Sequence, residues 1–217
     1  MARDKQAPAL AGPTRQQLLE AAGGVFAERS FRAATVRQIC QRAGANVAAV
    51  NYYFGGKVGL YAEVLRYAHR CAEERYPAGT APNKKLAPER ELELFVHSFL
   101  RRLFDEGSTG WLGKLMSREM VEPTAALDVV VEEQIRPSSR HFQGVLRRLL
   151  GPRATEEQVR LCEMSVVSQC LFYHHCRPVI SRMFSGFDFS PEALRRLAAH
   201  ITHFSLAGLN GTKRGRG

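Results

Sequence analysis

No stretch of the chain approaches the roughly twenty consecutive apolar residues that span a bilayer, and Met1 to Pro13, with Arg3, Asp4 and Lys5, lacks the apolar core of a secretory leader. These absences predict a soluble, cytoplasmic protein with no membrane partner. A C-x-x-C pair is also missing. The five cysteines (Cys40, Cys71, Cys162, Cys170 and Cys176) are an odd set without framework spacing, so they are expected as reduced, mostly buried thiols. No segment alternates as a strand does, and no internal repeat is present. Nor does any nucleophile, base and orienting group stand at readable spacing. Glu119, Glu122, Asp128, Glu132 and Glu133 contain carboxylate pairs, but acids on a helix surface are ordinarily just solvated. His174-His175-Cys176 with Cys170, and with His97 and His141 added, invites a metal reading. Neighbours on a helix point about 100° apart while ligands come three or four residues apart, so satisfied or exposed histidines are the better reading. No catalytic residue, metal site or cofactor is therefore expected.

What is present is helix and positive charge. Over 217 residues, 31 Lys and Arg stand against 21 Asp and Glu, a formal charge of +10 that favours a polyanionic partner. Apolar residues recur at a 3.6-residue period from Thr14 almost to the C-terminus, which predicts an all-α fold. Helix starts are legible at Thr14-Arg15-Gln16-Gln17, Thr35-Val36-Arg37-Gln38 and Thr155-Glu156-Glu157-Gln158, each a capping-box pattern, and at Ser190-Pro191-Glu192. Helices are expected at about 14–29 (burying Leu18, Leu19, Ala22, Val25 and Phe26), 36–42, 47–54 and 57–76 (burying Leu60, Val64, Leu65 and Ala68). Further helices are expected at 89–106, 109–120, 124–150 with a break near Pro137, 155–176 and 190–209. The Pro-rich stretch 77–88 is the clear composition break. The expected organisation is a disordered basic N-terminus (1–13), a DNA-binding domain (14–76), a linker (77–88), a helical C-terminal domain (89–210) and a disordered basic tail (211–217). That tail either adds nonspecific attraction to DNA or is simply solvated.

Two short helices joined by Ala43-Gly44-Ala45 form a helix-turn-helix arrangement, and six basic residues between Thr14 and Lys57 face two acids. The B-DNA major groove accepts one helix and shows a distinguishable pattern for each base pair, so a reading helix must be short, held at both ends and exposed on one face. With Val50 and Phe54 turned inward, the helix 47–54 keeps Val47, Ala48, Ala49, Asn51, Tyr52 and Tyr53 free. Asn51 suits bidentate pairing with adenine, and Ala48 or Ala49 suits contact with a thymine methyl. Thr35, Tyr52 and Tyr53 offer hydroxyls to phosphates, and Arg37 and Lys57 offer charge at helix starts. One of the two tyrosines is alternatively a partly buried aromatic.

At these residues the chain resembles the TetR family of transcription regulators. The run Thr35 to Gly44, then Ala45 to Phe54, then Lys57 and Leu60 follow that family's N-terminal domain almost position by position. Its base and phosphate contacts would fall on Thr35, Arg37, Val47, Ala48, Ala49, Asn51, Tyr52, Tyr53 and Lys57. Gly55-Gly56 stands where Pro and a polar residue are common, Val58 where Glu is usual and Asn51 where Tyr is usual. These departures bear on which operator is read.

Arg118 to Thr124, Ala126-Leu127-Asp128, Ile135-Arg136-Pro137 and Ser165 to Tyr173 resemble the CerR-type C-terminal domain found on a subset of TetR-like regulators. The resemblance implies a cavity for a small-molecule effector and a homodimer formed by the last two long helices. Leu161, Val167, Leu171, Leu197, Ile201 and Phe204 are the expected dimer contacts. Trp111, Met116, Glu119, Phe142 and Tyr173 are the candidate ligand residues, with core packing as the alternative for the apolar ones. The expected function is a dimeric repressor released from a palindromic operator on double-stranded DNA by an effector, acting on transport or drug-response genes. A ligand-responsive activator, a helical enzyme and a protein-binding adaptor are the alternatives.

Overall fold

In the computed structural model, residues 15–77, 86–107 and 110–214 are described. Among them the chain is all-helical, with no strand. It divides into two compact units, residues 1–64 and 65–217.

The first unit holds α1 (Arg15–Glu28), α2 (Val36–Ala43), α3 (Val47–Phe54) and the start of α4 (Lys57–Arg75). The Thr14 cap and the disordered N-terminus expected from sequence lie outside the described residues. The expected stripe of α1 is buried, together with Ile39 of α2, Val50 and Phe54 of α3, and Leu60, Tyr61 and Val64 of α4. Tyr61 closes this core edge-on against Phe26, ring centres 4.8 Å apart. Gly59 is required at the α3–α4 corner, because a methyl group there would overlap the carbonyl oxygen of Phe54. The division between units falls inside α4, upstream of the Pro-rich stretch, whose residues 78–85 lie outside the described set.

The second unit contains the rest of α4, then α5 (Pro88–Leu103), α6 (Leu112–Val121), α7 (Ala125–Val130), a π-helical turn (Val131–Ile135), α8 (Arg136–Leu150), α9 (Glu156–His175), α10 (Arg177–Met183) and α11 (Pro191–Arg214). Helix α5 packs against α8, α9 and α11. Leu92, Val96 and Leu100 on α5 meet Phe142 and Leu146 on α8, Val159 and Cys170 on α9, and Ile201 on α11. The buried carboxylate of Glu91 pairs with Arg148 at 2.7 Å, and Arg148 also donates to the Leu86 carbonyl, which ties the start of α5 to α8. In the π turn the Arg136 N–H reaches back five residues to the Val131 carbonyl, the signature of one extra residue in a helix. Arg66 of α4 makes a bidentate pair with Glu133 in that turn, at 2.6 and 2.8 Å.

One expectation is corrected and one element is added. The expected disordered tail is helical over 211–214, since α11 continues past Gly208 and Gly211, and its residues 215–217 lie outside the described residues. Between α9 and α11, where the sequence offers no clear pattern, stands the seven-residue α10.

Candidate nucleic-acid interface and C-terminal sites

Each end of the α2–turn–α3 segment is secured by specific hydrogen bonds. Gln38 N–H donates to Thr35 Oγ1 at 3.2 Å, and Thr35 N–H donates to Gln38 Oε1 at 3.1 Å, completing the capping box of α2. Gly44, at φ 65°, ends α2 in the left-handed region, and its N–H bonds to the carbonyls of Cys40 and Gln41. Asn46 then caps α3 by accepting from Ala48 N–H at 2.9 Å. The sequence reading missed this residue, although an Asn directly before a helix was the available signal. Gly55, at φ 68°, closes α3 with a bond to the Asn51 carbonyl.

With its ends held and Val50 and Phe54 buried, α3 presents Val47, Ala48, Asn51, Tyr52 and Tyr53 to solvent, and Ala49 is half-buried. Tyr52 is 83% exposed, so it carries no packing duty for the core. The two tyrosine rings meet edge-on at 5.0 Å, which limits how freely either swings. Arg37 is exposed on the first turn of α2. Thr35 is exposed too, and although its oxygen accepts the cap bond, its hydroxyl hydrogen can still be donated outward.

Lys57 is more constrained than a free phosphate-seeking cation. Its Nζ lies 4.5 Å from the centre of the Phe31 ring and 3.5 Å from the Arg32 carbonyl, and burial lowers its pKa from the ordinary lysine value. Arg42, counted with the basic residues of this unit, is turned toward Glu28 at 2.7 Å. Arg15 pairs with Glu63 and lies over the Phe54 ring at 5.1 Å, supporting the buried end of α3.

In the C-terminal unit the five candidate ligand residues have separate surroundings. Phe142 lies flat on Phe95, ring centres 3.7 Å apart, inside the core. Glu119 is buried and accepts from Thr124 N–H at 2.9 Å and from its hydroxyl at 3.1 Å, while Thr124 caps α7; this carboxylate therefore closes the α6–α7 turn. Trp111 is half-buried with its ring 6.2 Å from that of Tyr67, and Met116 is half-buried on α6. Tyr173 alone of the five lines the cleft of about 400 Å³ on α9 and α11, with Ser168, Gln169, Phe172, His200 and Ile201.

That cleft lies on the face expected to receive a second subunit. Leu161 and Phe204 are exposed there, and Val167 and Leu171 are half-buried. Leu197 and Ile201 are corrected as contact residues, because they belong to the chain's own core and Ile201 is 0% exposed. The neighbouring stripe, His200 and Phe204, faces outward instead, and Met164 and Phe172 add exposed apolar surface on α9.

His174 is packed rather than poised to bind a metal. The edge of its ring meets Phe104, its Nδ1 is 3.5 Å from Ser117 Oγ, and burial pushes its pKa down to about 4. His175 is exposed, Cys176 is half-buried, and burial pushes the Cys170 thiol up to about 12. Among the described residues no group of three or more His, Cys, Asp or Glu is placed to hold a metal ion, and no helix is long and apolar enough to cross a membrane.

A short helix held at both ends, with its outer face free and a basic partner helix before it, defines a helix-turn-helix DNA-binding protein. A family model of bacterial regulatory proteins of the tetR family matches residues 18–64, and the model of the C-terminal domain of the HTH-type transcriptional dual regulator CecR matches residues 88–209. The chain belongs to the TetR family of transcriptional regulators, with a C-terminal domain of the CecR type in place of the CerR name that the resemblance suggested. It is 30% identical to the HTH-type transcriptional dual regulator CecR of Shigella flexneri over 167 residues, which cover 73% of this chain and 74% of that one. The fold is that of FadR from Bacillus subtilis, solved in complex with stearoyl-CoA (TM-score 0.68, 15% identity, covering 90% of this chain and 99% of that one). It is also that of SmeT, repressor of the Stenotrophomonas maltophilia multidrug efflux pump SmeDEF (TM-score 0.64, 22% identity, covering 90% and 89%).

Proposed function

We propose that this regulator acts, without catalysis, as a cytoplasmic homodimeric repressor that holds a palindromic operator and releases it when a small-molecule effector binds the C-terminal domain. The observation that carries this reading is the free face of α3, with Val47, Ala48, Asn51 and Tyr52 exposed opposite the buried Val50 and Phe54. In this reading Asn51 pairs with an adenine, and Ala48 and Ala49 touch a thymine methyl. Thr35, Arg37, Tyr52, Tyr53 and Lys57 meet phosphates and set the register. The DNA-binding domain is residues 14–76, the linker 77–88, and the effector and dimerisation domain 89–210. An effector that binds better to a dimer with a different spacing of its two α3 helices weakens operator binding by the same free energy.

The efflux-pump repressor SmeT supports transport or drug-response genes as targets, and FadR with its stearoyl-CoA supports a ligand site in the helical domain. The word "dual" in the name of the Shigella flexneri relative favours a second reading, in which the same dimer also activates some promoters.

The test is retention of fragments of the source genome by the purified protein, sequenced at moderate salt and again with a small-molecule library. An enriched palindrome that one compound releases is the expected result. Equal retention of all fragments by folded protein would overturn the reading.

A further inference from the structure

Helices α4 and α5 meet along a face that leaves two nitrogen atoms buried with no hydrogen-bond partner. On α4, His69 and Glu73 are four residues apart, which puts them on one side of the helix, and Tyr76 directly follows its last residue. Arg102 of α5 lies against that side. Its Nε donates to the Tyr76 carbonyl at 2.9 Å, and one terminal nitrogen, Nη2, comes no nearer than 3.7 Å to a Glu73 oxygen. That Nη2 is shut off from solvent and makes no hydrogen bond, and the same is true of His69 Nε2, one turn before Glu73. Buried Ser98 also donates its hydroxyl to the Tyr76 carbonyl. Burial, and then the charge of Arg102, hold the His69 pKa down at about 4, so the imidazole is neutral near pH 7.

A buried donor without an acceptor is costly, and most native donors avoid that cost. Arg102 Nη2 lacks an oxygen to donate to, and His69 Nε2, in the tautomer that carries its proton there, has the same deficit. Glu73 does not supply it, since its side chain is 42% exposed and stays beyond hydrogen-bond distance. A neutral ligand carbonyl would satisfy one donor, whereas a carboxylate or phosphate brings two oxygens and a charge opposite to that of the guanidinium.

We propose that Arg102 and His69 form an anion-recognition subsite in the C-terminal unit, which receives the carboxylate or phosphate group of the effector. The assignment rests on the effector reading above and narrows it to an acidic compound. The guanidinium supplies the charge, and the neutral imidazole donates through Nε2. Both stand on or against α4, the helix that begins at Lys57 beside α3.

Thermal melts of the full chain test this, with sodium benzoate, sodium phosphate or neutral benzyl alcohol added and chloride used to hold ionic strength constant. Benzoate or phosphate should raise the melting temperature and benzyl alcohol should not; whichever anion acts identifies the group. His69→Leu removes an atom with no partner, so without added anion it should melt no lower than the wild type. Both His69→Leu and Arg102→Met should weaken the anion response by about ten- to a hundredfold in apparent affinity, whereas His69→Gln, which keeps an N–H donor, should retain most of it.

A response to neither anion, an equal response in wild type and His69→Leu, or a large loss of stability in His69→Leu alone would overturn the subsite. The operator fragments separate this claim from the one beneath it. Anion binding that depends on His69 but leaves operator affinity unchanged supports the subsite and sinks the effector role. A neutral compound that releases the operator from wild type and His69→Leu alike keeps the effector role and overturns the subsite.

Discussion

The Lys57 ammonium rests on the Phe31 ring, so this side chain serves the fold as well as the phosphate contact proposed for it. Lys57→Ala should cost about 0.5–1 kcal/mol of stability through the lost cation–π contact and should lower affinity for all sequences evenly, with the salt slope reduced by about one. Asn51→Ala should leave the melting temperature unchanged, because the residue is exposed, and should relax discrimination at one base pair when operator variants are compared. Indistinguishable profiles for the two variants would remove the roles given to both. Acid stability is a second residue-scale matter. His69 and His174 both have pKa values near 4 against an ordinary 6.5, so the unfolded chain takes up protons that the folded chain refuses. Their contribution is complete above pH 6.5 and is lost as pH falls toward 4, so the melting temperature should drop over that window and drop less steeply in His69→Leu. At this scale the sequence was readable in which side chains of α3 face solvent, as at Asn51 and Tyr52. It was opaque at His69 and Arg102, because a polar side chain at helical spacing looks the same whether it is solvated or buried without a partner.

Elements were legible where their ends carry specific chemistry. The limits of α3 agree with the sequence reading, since Asn46 caps its start and Gly55, at its end, adopts a positive φ that other residues resist. Helix α10 was missed because seven residues are too few to show a period, and α11 runs on past buried Leu209 despite the weak helix propensity of Gly208 and Gly211. Thr35→Ala should destabilise by about 1 kcal/mol through loss of the cap of α2, read as a lower denaturant midpoint. Gly59→Ala should cost more, about 1–3 kcal/mol, because the added methyl meets the backbone carbonyl of Phe54, and α3 must shift to make room. Operator affinity should fall with it, even at temperatures where the variant remains folded.

For the whole molecule, the surface that remains after the core is assembled decides the assembly. Leu197 and Ile201 share a period with the buried side of α11, and the sequence could not say which of two adjacent apolar stripes faces inward. Phe204, 63% exposed, belongs to the outward stripe, so Phe204→Glu should convert the proposed dimer to monomer in sedimentation and abolish tight operator binding while leaving the helical content unchanged. The π turn at Val131–Ile135 bears on how the chain tolerates changes in length. Elsewhere in the bundle, losing one residue from a helix would rotate everything beyond it by about 100° and expel its buried side chains. Within this turn a one-residue deletion would let the segment relax to ordinary α-helix, with Ala126 and Val130 before it and Phe142, Val145 and Leu146 after it still directed at the core. The chain therefore carries a spare residue at one place, where it can be shortened without being refolded.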